Sequence, residues 1–257
     1  ETDPRVMELI GKDSWRGLAD ALRATTPGQP TVTFDCLIHY KENAARWTRI
    51  LARAIWSPDE PPRYTGAIGK AIDVHDSRMH LDNLERMATH DAMTGLLNHA
   101  TAKKRIQERL EERPEGRYAL AILDLDHFKS ANDNYGHSFG DQVLIYMADK
   151  LRQNTRGGDI AARVGGDEMV VFLECKIEVE PAIERIFNAV TGMYEQFPLS
   201  VSIGVATTEK VGTDYETLFH AADQALYTVK RSGRGHYRFY DESMDKTLSA
   251  ISPIDSD

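Results

Sequence analysis

The sequence contains few cysteines, few aromatic residues and no long apolar run. Its 2 cysteines, Cys36 and Cys175, are too few and too far apart for a disulfide scaffold or a zinc site. The net charge of -9 leaves no basic footprint, which argues against a nucleic-acid-binding protein. Without a membrane-spanning run or a charged-then-apolar leader, the sequence predicts a protein of the reducing cytoplasm. A longer parent protein with a membrane anchor upstream of Glu1 is compatible with this reading.

The chain of 257 residues, 41% of them hydrophobic, is long enough for two ordinary domains, and we expect two. In the first third, a helical start at Trp15 to Leu22 precedes three strand-like runs, Val32 to Tyr40, Ala45 to Trp56 and Tyr64 to Val74. Turn signals between these runs, including a cluster of prolines after Trp56, predict an antiparallel meander.

The most informative stretch runs from Arg163 to Phe172, where a glycine pair and two acidic residues stand between two strand-like runs. Gly165 and Gly166 permit a tight turn, because glycine adopts positive φ without a Cβ penalty and lets a ligand approach the backbone. Carboxylates at such a turn suit a hard cation. The alternative is an exposed hairpin with acidic decoration.

A second acidic site follows the apolar run Tyr118 to Ile122, which reads as a buried strand. Asp124 lies at the carboxyl end of this strand, where carboxylate and carbonyl oxygens suit Mg²⁺ paired with phosphates. The next segment is polar and glycine-punctuated, and it precedes a helical pattern from Val143 to Leu151. Within this segment, Asn132 and Asp141 offer an amide and a carboxylate that suit the edge of a nucleobase.

Together these motifs resemble the GGDEF family, the diguanylate cyclases, which condense two GTP into cyclic di-GMP and release pyrophosphate. The resemblance covers about two thirds of the chain, from an opening signature at Asp91 to Asn98 to a closing motif at Ala222 to Lys230. It implies a mixed α/β fold with a central, largely antiparallel sheet flanked by helices, of the kind shared with nucleotidyl cyclases and polymerase palms.

The resemblance also assigns roles to individual residues. It implies Mg²⁺ or Mn²⁺ held by Asp124, Asp167, Glu168 and the backbone carbonyl of Leu125. It makes Asp167 the candidate base for the attacking hydroxyl, with Lys129 and Glu168 assisting catalysis. Residues expected to contact the GTP substrate are Phe128, Lys129, Asn132, Asp141, Gly165, Gly166, Lys230 and Arg234. For each lysine the alternative is a solvated surface charge.

Guanine is a better match than adenine for the pair Asn132 and Asp141, because its edge offers O6 together with N1 and N2 donors. The alternative for Asp141 is an N-cap of the following helix. The run Arg156-Gly157-Gly158-Asp159 matches the family's R-x-x-D inhibitory site, at which cyclic di-GMP would bind as product and inhibitor. Its alternative is a simple turn.

The apolar positions Val74, Leu81, Leu84 and Ala88 predict a short coiled-coil seam, through which a homodimer would bring two active sites face to face. A helix packed on its own domain is the alternative. The preceding strands resemble the carboxyl-terminal half of a PAS sensor domain. We therefore expect a partial PAS-like domain over 1–76, a helical linker over 77–90, a cyclase domain over 91–242 and a flexible tail over 243–257.

Two positions depart from the family pattern. Met169 replaces an aromatic residue and is expected to face the core, while His99 stands in place of an arginine. The resemblance predicts a sensor-regulated, product-inhibited diguanylate cyclase. The alternative is a catalytically silent module that binds GTP or cyclic di-GMP as a signalling receptor.

Overall fold

The structure is a computed structural model that describes residues 10–39, 45–175 and 178–244. The chain divides into two compact units, Glu1–Arg86 and Met87–Asp257. Predictions for Tyr40 and for the tail over 245–257 lie outside the described residues. Among the residues described, no helix has both the length and the apolar character needed to cross a bilayer.

The first unit is a small antiparallel sheet with one helix packed on it. Its elements are α1 (Lys12–Arg23), β1 (Thr31–His39), β2 (Ala45–Trp56), β3 (Tyr64–Asp73) and α2 (His75–Thr89), the last of which continues into the second unit. The sheet order is β1-β2-β3 with antiparallel pairing throughout, which confirms the predicted meander. Leu18 and Leu22 of α1 pack with Cys36, Ile38 and Ile50 in a small core.

Ion pairs fix the start of α2 to strand β2. Arg46 donates to Asp73 at 2.6 Å and to Asp76 at 3.0 Å. The guanidinium of Arg78 lies 4.0 Å from the ring centroid of Trp47, a cation–π contact. Helix α2 itself buries none of its described residues.

The second unit contains a six-stranded sheet. Its elements are β4 (Leu97–Asn98), α3 (His99–Glu112), β5 (Tyr118–Leu125), α4 (Phe128–Tyr135), α5 (His137–Asn154), β6 (Ile160–Gly165), β7 (Glu168–Glu174), α6 (Glu180–Val190), β8 (Gly192–Tyr194), β9 (Phe197–Leu199), β10 (Val201–Thr207), α7 (Thr208–Val211), α8 (Tyr215–Arg231) and β11 (Tyr237–Phe239). The sheet order is β11-β10-β5-β7-β6-β4, and β8 pairs with β9 in a separate hairpin.

Strand β5 is buried at every position, because helices cover both faces of the sheet. Side chains alternate between faces along a strand, so Leu123 joins the core formed with α5 and α6, whereas Ile122 joins the core formed with α3 and α8. The pairs around β5 and β7 are antiparallel, while the two outer pairs are parallel. The prediction of a mixed α/β fold with a largely antiparallel sheet is therefore confirmed.

Two details of the sequence prediction need correction. The helical pattern was expected from Val143, but α5 begins six residues earlier at His137, and the polar residues before it form α4. Asp141 therefore lies inside α5, where Gly136 occupies the N-cap position, and the N-cap alternative for Asp141 is wrong. The glycine at 140 allows this continuation, because it is buried where α5 meets α4.

Candidate functional site

Two acidic residues face each other across the centre of the sheet. Strand β5 pairs with β7 in a register that sets Asp124 opposite Glu168. Asp124 lies one residue before the end of β5 and is buried, while Glu168 is the first residue of β7 and is partly buried. Opposite residues of an antiparallel pair have neighbouring side chains, so the register alone brings the two carboxylates together.

The turn between β6 and β7, which directly precedes Glu168, has open space beside its two glycines. Gly166 has φ +51, in the left-handed region that favours glycine, and the pairing register shifts at Gly165. A Cβ built at either glycine would meet no atom within 4 Å. The predicted glycine turn therefore exists, carries Asp167 at its end and is open to a ligand.

A lysine from the last turn of α8 contacts the first of these acids. Lys230 Nζ lies 2.7 Å from Asp124 Oδ2, and the pair is largely shielded from solvent. Burial raises the pKa of Asp124, and the hydrogen bond from Lys230 opposes part of that rise. The structure thus joins residues that lie 106 positions apart and that were assigned separately to metal and phosphate.

Glu168 also has a raised pKa, first because of burial and then because of repulsion from Asp124. A divalent cation would relieve that repulsion, and hard carboxylate oxygens are the ligands that Mg²⁺ prefers. Within residues 10–39, 45–175 and 178–244, no three acidic, histidine or cysteine side chains come together in metal-binding geometry. Two carboxylates nevertheless suffice where a Mg²⁺ ion takes its remaining ligands from phosphate and water, so the donor set fits the ion.

The residues predicted to contact guanine lie on two adjoining helices. Asn132 is on α4 and Asp141 is on α5, and both are partly buried. A Cβ at Gly140 would collide with the side-chain oxygen of Asn132 and lie 3.2 Å from the ring of Phe128. Glycine at 140 therefore permits the close packing that holds Asn132 and Phe128 beside the helix of Asp141.

The remaining predicted phosphate contacts are more exposed. Lys129 is exposed and is the second residue of α4. The helix begins directly after His127, whose φ is +59. Arg234 follows the end of α8 at Arg231 and has φ +61. The helix therefore ends between Lys230 and Arg234, so Arg234 does not share the regular helical geometry of Lys230.

The R-x-x-D segment forms a reciprocal turn between α5 and β6. Arg156 N donates to Asp159 Oδ2 at 2.8 Å, and Asp159 N donates to the Arg156 carbonyl at 2.9 Å. This turn borders a cleft of about 620 Å³, which also receives Glu174, Cys175 and Arg185. Burial raises the pKa of the Cys175 thiol to about 11, so this sulfur is not a reactive thiolate. The simple turn that was the alternative prediction for the R-x-x-D run is therefore present. The Arg156 side chain is exposed beside the cleft.

Sequence reasoning gave no role to Arg163, which holds the glycine turn. Its Nε and Nη2 donate to the Gly166 carbonyl at 3.0 and 2.7 Å, and its Nη1 donates to Asp91 at 3.2 Å. Asp91 also accepts from the backbone and hydroxyl of Thr94. Burial alone would raise the pKa of Asp91, but these hydrogen bonds lower it overall. The position of Arg163 directly before Val164 and the glycine pair was the available signal.

Arg185 and Asp126 were also missed. Arg185 lines the cleft beside Asp159 and donates to the Asn154 carbonyl at 3.0 Å. Asp126 is buried two residues after Asp124. Their partners lie 31 or more residues away in the chain, which no local pattern could indicate.

Of the two departures from the family pattern, Met169 is fully buried in the core of the sheet, as predicted. His99 occupies the first position of α3, and its ring centroid lies 6.1 Å from that of Phe219. Its imidazole therefore packs at the surface of the domain core, away from Asp124 and Glu168.

Comparison with known proteins places this geometry in a family. Residues 88–236 match the family model described as "Diguanylate cyclase, GGDEF domain". The chain is 39% identical over 163 residues to the diguanylate cyclase DgcP of Pseudomonas aeruginosa, covering 60% of this chain and 24% of that protein. It is 36% identical over 165 residues to the diguanylate cyclase DgcS of Shewanella oneidensis, covering 62% of this chain and 55% of that protein. The chain thus spans only about a quarter to a half of these relatives.

Solved structures give the same assignment. The GGDEF domain of TpbB (YfiN) from Pseudomonas aeruginosa matches with a TM-score of 0.59 at 30% identity, covering 62% of this chain and 99% of that one. The coiled coil and GGDEF domain of DgcB from Caulobacter crescentus, solved in complex with cyclic di-GMP, matches with a TM-score of 0.57 at 29% identity, covering 65% and 93%.

Proposed function

Because the chain belongs to the GGDEF family of diguanylate cyclase domains, we propose that it condenses two GTP molecules into cyclic di-GMP and releases two pyrophosphates. The observation that carries this proposal is the grouping of Asp124, Glu168 and Lys230 beneath an open glycine turn. Such a group suits a triphosphate bound with a divalent cation, and a silent receptor domain would not need to retain it.

In this proposal Mg²⁺ or Mn²⁺ would be held by Asp124, the Leu125 carbonyl, Asp167 and Glu168, and would supply charge neutralisation at the phosphates. Lys230 shares Asp124 with the cation site and would bind a triphosphate oxygen. Lys129 and Arg234 would add positive charge from the exposed side. Gly165 and Gly166 would let the phosphates approach the backbone of the turn.

The proposed chemistry is positioning followed by proton transfer. Asp167, at the end of the turn that Arg163 fixes, would accept the proton of the attacking 3′-hydroxyl. Asn132 and Asp141 would read the guanine edge, with Phe128 packed beside Asn132. The pairing of amide and carboxylate supports GTP over ATP as the substrate.

We also propose a regulatory arrangement around this reaction. Residues 1–76 would be a partial PAS-like sensor, and residues 77–90 would be a linker to the cyclase domain over 91–242. Helix α2 supports a homodimer, because Leu81, Leu84 and Met87 are exposed at 65%, 49% and 74%. Cyclic di-GMP would inhibit through Arg156 and Asp159, beside the cleft. A cytoplasmic location is part of the same proposal.

The test is incubation of the purified chain with GTP and Mg²⁺, with mass-spectrometric identification of the product and a control with ATP plus GTP. We expect cyclic di-GMP from GTP, no adenine-containing product, and no turnover by Asp167→Ala. Bound GTP without any product would instead favour a receptor module. Turnover by Asp167→Ala at the wild-type rate would overturn its role as base.

A further inference from the structure

Asp126 is a buried carboxylate whose hydrogen bonds join three segments of the cyclase domain. It lies just beyond the end of β5, and its side chain is fully shielded from solvent. Its Oδ1 accepts from Ser202 Oγ at 2.7 Å, and its Oδ2 accepts from Ser200 Oγ at 2.6 Å. The Gly235 amide donates to the same Oδ2 at 3.0 Å. The end of β5, the start of β10 and the loop after α8 therefore meet on one side chain.

The register of the sheet explains how the serines reach this position. Ser202 of β10 lies opposite Asp124 of β5. Side chains two positions apart along a strand lie on the same face, so Ser200 and Ser202 lie on the same face as Asp124 and Asp126. The Asp126 amide in turn donates to the Ser200 carbonyl at 2.8 Å. Asp126 is thus tied to β10 through both its backbone and its side chain.

The loop that Asp126 holds has an unusual backbone. Gly233, Arg234 and Gly235 have φ values of +114, +61 and +67. For an arginine this left-handed conformation is rarely adopted and persists where the surroundings impose it. The hydrogen bond from Gly235 to Asp126 is made by the residue next to Arg234, and the Arg234 amide donates to the Val229 carbonyl at 3.1 Å.

The side chain of Arg234 points toward the same carboxylate without being captured by it. Arg234 Nε lies 3.9 Å from Asp126 Oδ1, which is beyond hydrogen-bond distance, and the side chain is 48% exposed. The guanidinium is therefore oriented by a nearby charge while its outer part faces solvent. An arginine placed in this way can bind phosphate with two parallel hydrogen bonds.

We propose that Asp126 is a positioning residue that fixes Arg234 relative to Asp124, so that one buried carboxylate sets the distance between the triphosphate arginine and the acid at the end of β5. This proposal rests on the proposed function, since it assumes that Arg234 binds the triphosphate. Asp126 is not itself a metal ligand, because both of its oxygens already accept hydrogen bonds from serines and the loop amide.

The sign of the effect separates positioning from simple electrostatics. Asp126→Asn removes a negative charge near the triphosphate, and charge alone would make an anionic nucleotide bind more tightly. Asparagine, however, has one acceptor oxygen where aspartate has two, and as a neutral group it accepts hydrogen bonds more weakly than a carboxylate, so its hold on Ser200, Ser202 and the Gly235 amide would loosen. Positioning therefore predicts weaker binding despite the more favourable charge.

The experiment is a double-mutant cycle in the full chain, with GTPγS affinity measured by calorimetry and steady-state kinetics with GTP. Asp126→Asn and Arg234→Gln are each expected to weaken GTPγS binding by about 10-fold, with a matching rise in KM. The double variant is expected to bind as weakly as Arg234→Gln alone, because Asp126 acts through that arginine. Asp133→Asn, an exposed carboxylate on α4, is the charge-matched control and should retain wild-type affinity.

Two further measurements keep the test decisive. Ser200→Ala removes one hydrogen bond to Asp126 and should give a smaller loss of affinity in the same direction, which decides the matter if Asp126→Asn fails to fold. Hydrogen exchange of the Gly235 amide should be faster in Asp126→Asn and in Ser200→Ala than in the wild-type chain, and this measurement does not depend on enzymatic activity.

Wild-type affinity in Asp126→Asn, or losses that multiply in the double variant, would overturn the positioning role. If the cycle shows coupling on GTPγS but the wild-type chain forms no cyclic di-GMP, the cyclase assignment fails and the positioning role stands. Failure of the wild-type chain to bind GTPγS would overturn both.

Discussion

The sheets of the two units differ in how far their strands are buried. In the cyclase domain, β5 is buried at all its positions, and Asp124 is held at its end by packing on both faces. In the amino-terminal unit, β3 is exposed at every position except Gly66, and Ile68 is 68% exposed. The acids proposed to hold the metal are thus carried on the buried sheet, whereas the outer strand of the other sheet is exposed to solvent.

The sharpest test of this difference substitutes one acid from each sheet. Asp124→Asn should lower cyclic di-GMP formation by about 10²- to 10³-fold, because it removes a charge that the reaction depends on at a preorganised site. Asp73→Asn, at the end of β3, should leave the rate of GTP turnover unchanged within about 2-fold. The substitution removes only an exposed ion pair with Arg46, and such pairs contribute little energy. Rates would be measured at saturating GTP. Equal losses in the two variants would contradict the contrast.

The same comparison applies to stability. Leu123→Ala should lower the free energy of unfolding of the cyclase domain by about 2–5 kcal/mol, because a fully buried leucine leaves a cavity. Ile68→Ala should change the stability of the first unit by no more than about 0.5 kcal/mol, since the side chain is already in water. Denaturant unfolding of the full chain, followed by circular dichroism, provides both values. A large loss from Ile68→Ala would mean that β3 is covered in solution.

Acid sensitivity should differ between two ion-paired carboxylates. Burial alone would raise the pKa of Asp91, but its hydrogen bonds hold that pKa below the usual aspartate value, and hydrogen bonds from Arg49 lower the pKa of Asp35. A carboxylate with a depressed folded pKa contributes stability above its unfolded pKa and loses it as pH falls through the folded value. Both contributions should therefore be fully present at neutral pH, begin to decline near about pH 4, and be lost as the pH falls further through each lowered folded pKa.

The loss in the free energy of unfolding should be larger for Asp91→Asn than for Asp35→Asn. Asp91→Asn should cost about 1–3 kcal/mol at pH 7, because it disrupts charged hydrogen bonds at a partly buried site. Asp35→Asn should cost less than about 1 kcal/mol, as is usual for surface pairs. Repeating the unfolding measurements at pH 7 and pH 3 should show both losses become smaller at pH 3. A loss of the same size at both pH values would point to packing instead of charge.

The last prediction concerns product inhibition at the exposed turn that contains Arg156 and Asp159. Arg156→Ala should raise the concentration of cyclic di-GMP needed for half inhibition by about 10-fold, since one charged hydrogen-bonding group is lost. Basal turnover should not change, because Arg156 is exposed in the turn before β6, at the opposite end of that strand from the glycine turn that carries the proposed base. Arg238→Ala, an exposed arginine on β11, is the control. Unchanged inhibition would refute the product site.

Local patterns were enough to predict much of this fold. The strand that begins with the apolar run Tyr118 to Ile122, the glycine turn and the buried Met169 were each predicted from a few neighbouring residues. The start of α5 was misplaced because its first turns are polar, and the apolar periodicity begins only at Val143. Asp141 looked like a cap for the same reason.

The contacts that position the site could not be read from the sequence. Lys230 reaches Asp124 across 106 residues, and Ser200 reaches Asp126 across 74. Such pairs depend on strand register and on how α8 packs on the sheet, neither of which a local motif specifies. Family resemblance could name Lys230 as a phosphate contact, but only the folded chain joins it to the acid.

The guanidinium of Arg163 links two segments of the second unit that lie far apart in the sequence. It holds Asp91, where the chain enters the cyclase domain just after α2, and with its other nitrogens it holds the carbonyl of the residue before Asp167. One side chain therefore joins the first residues of the matched domain to the backbone beside the proposed base, two places 75 positions apart in the chain.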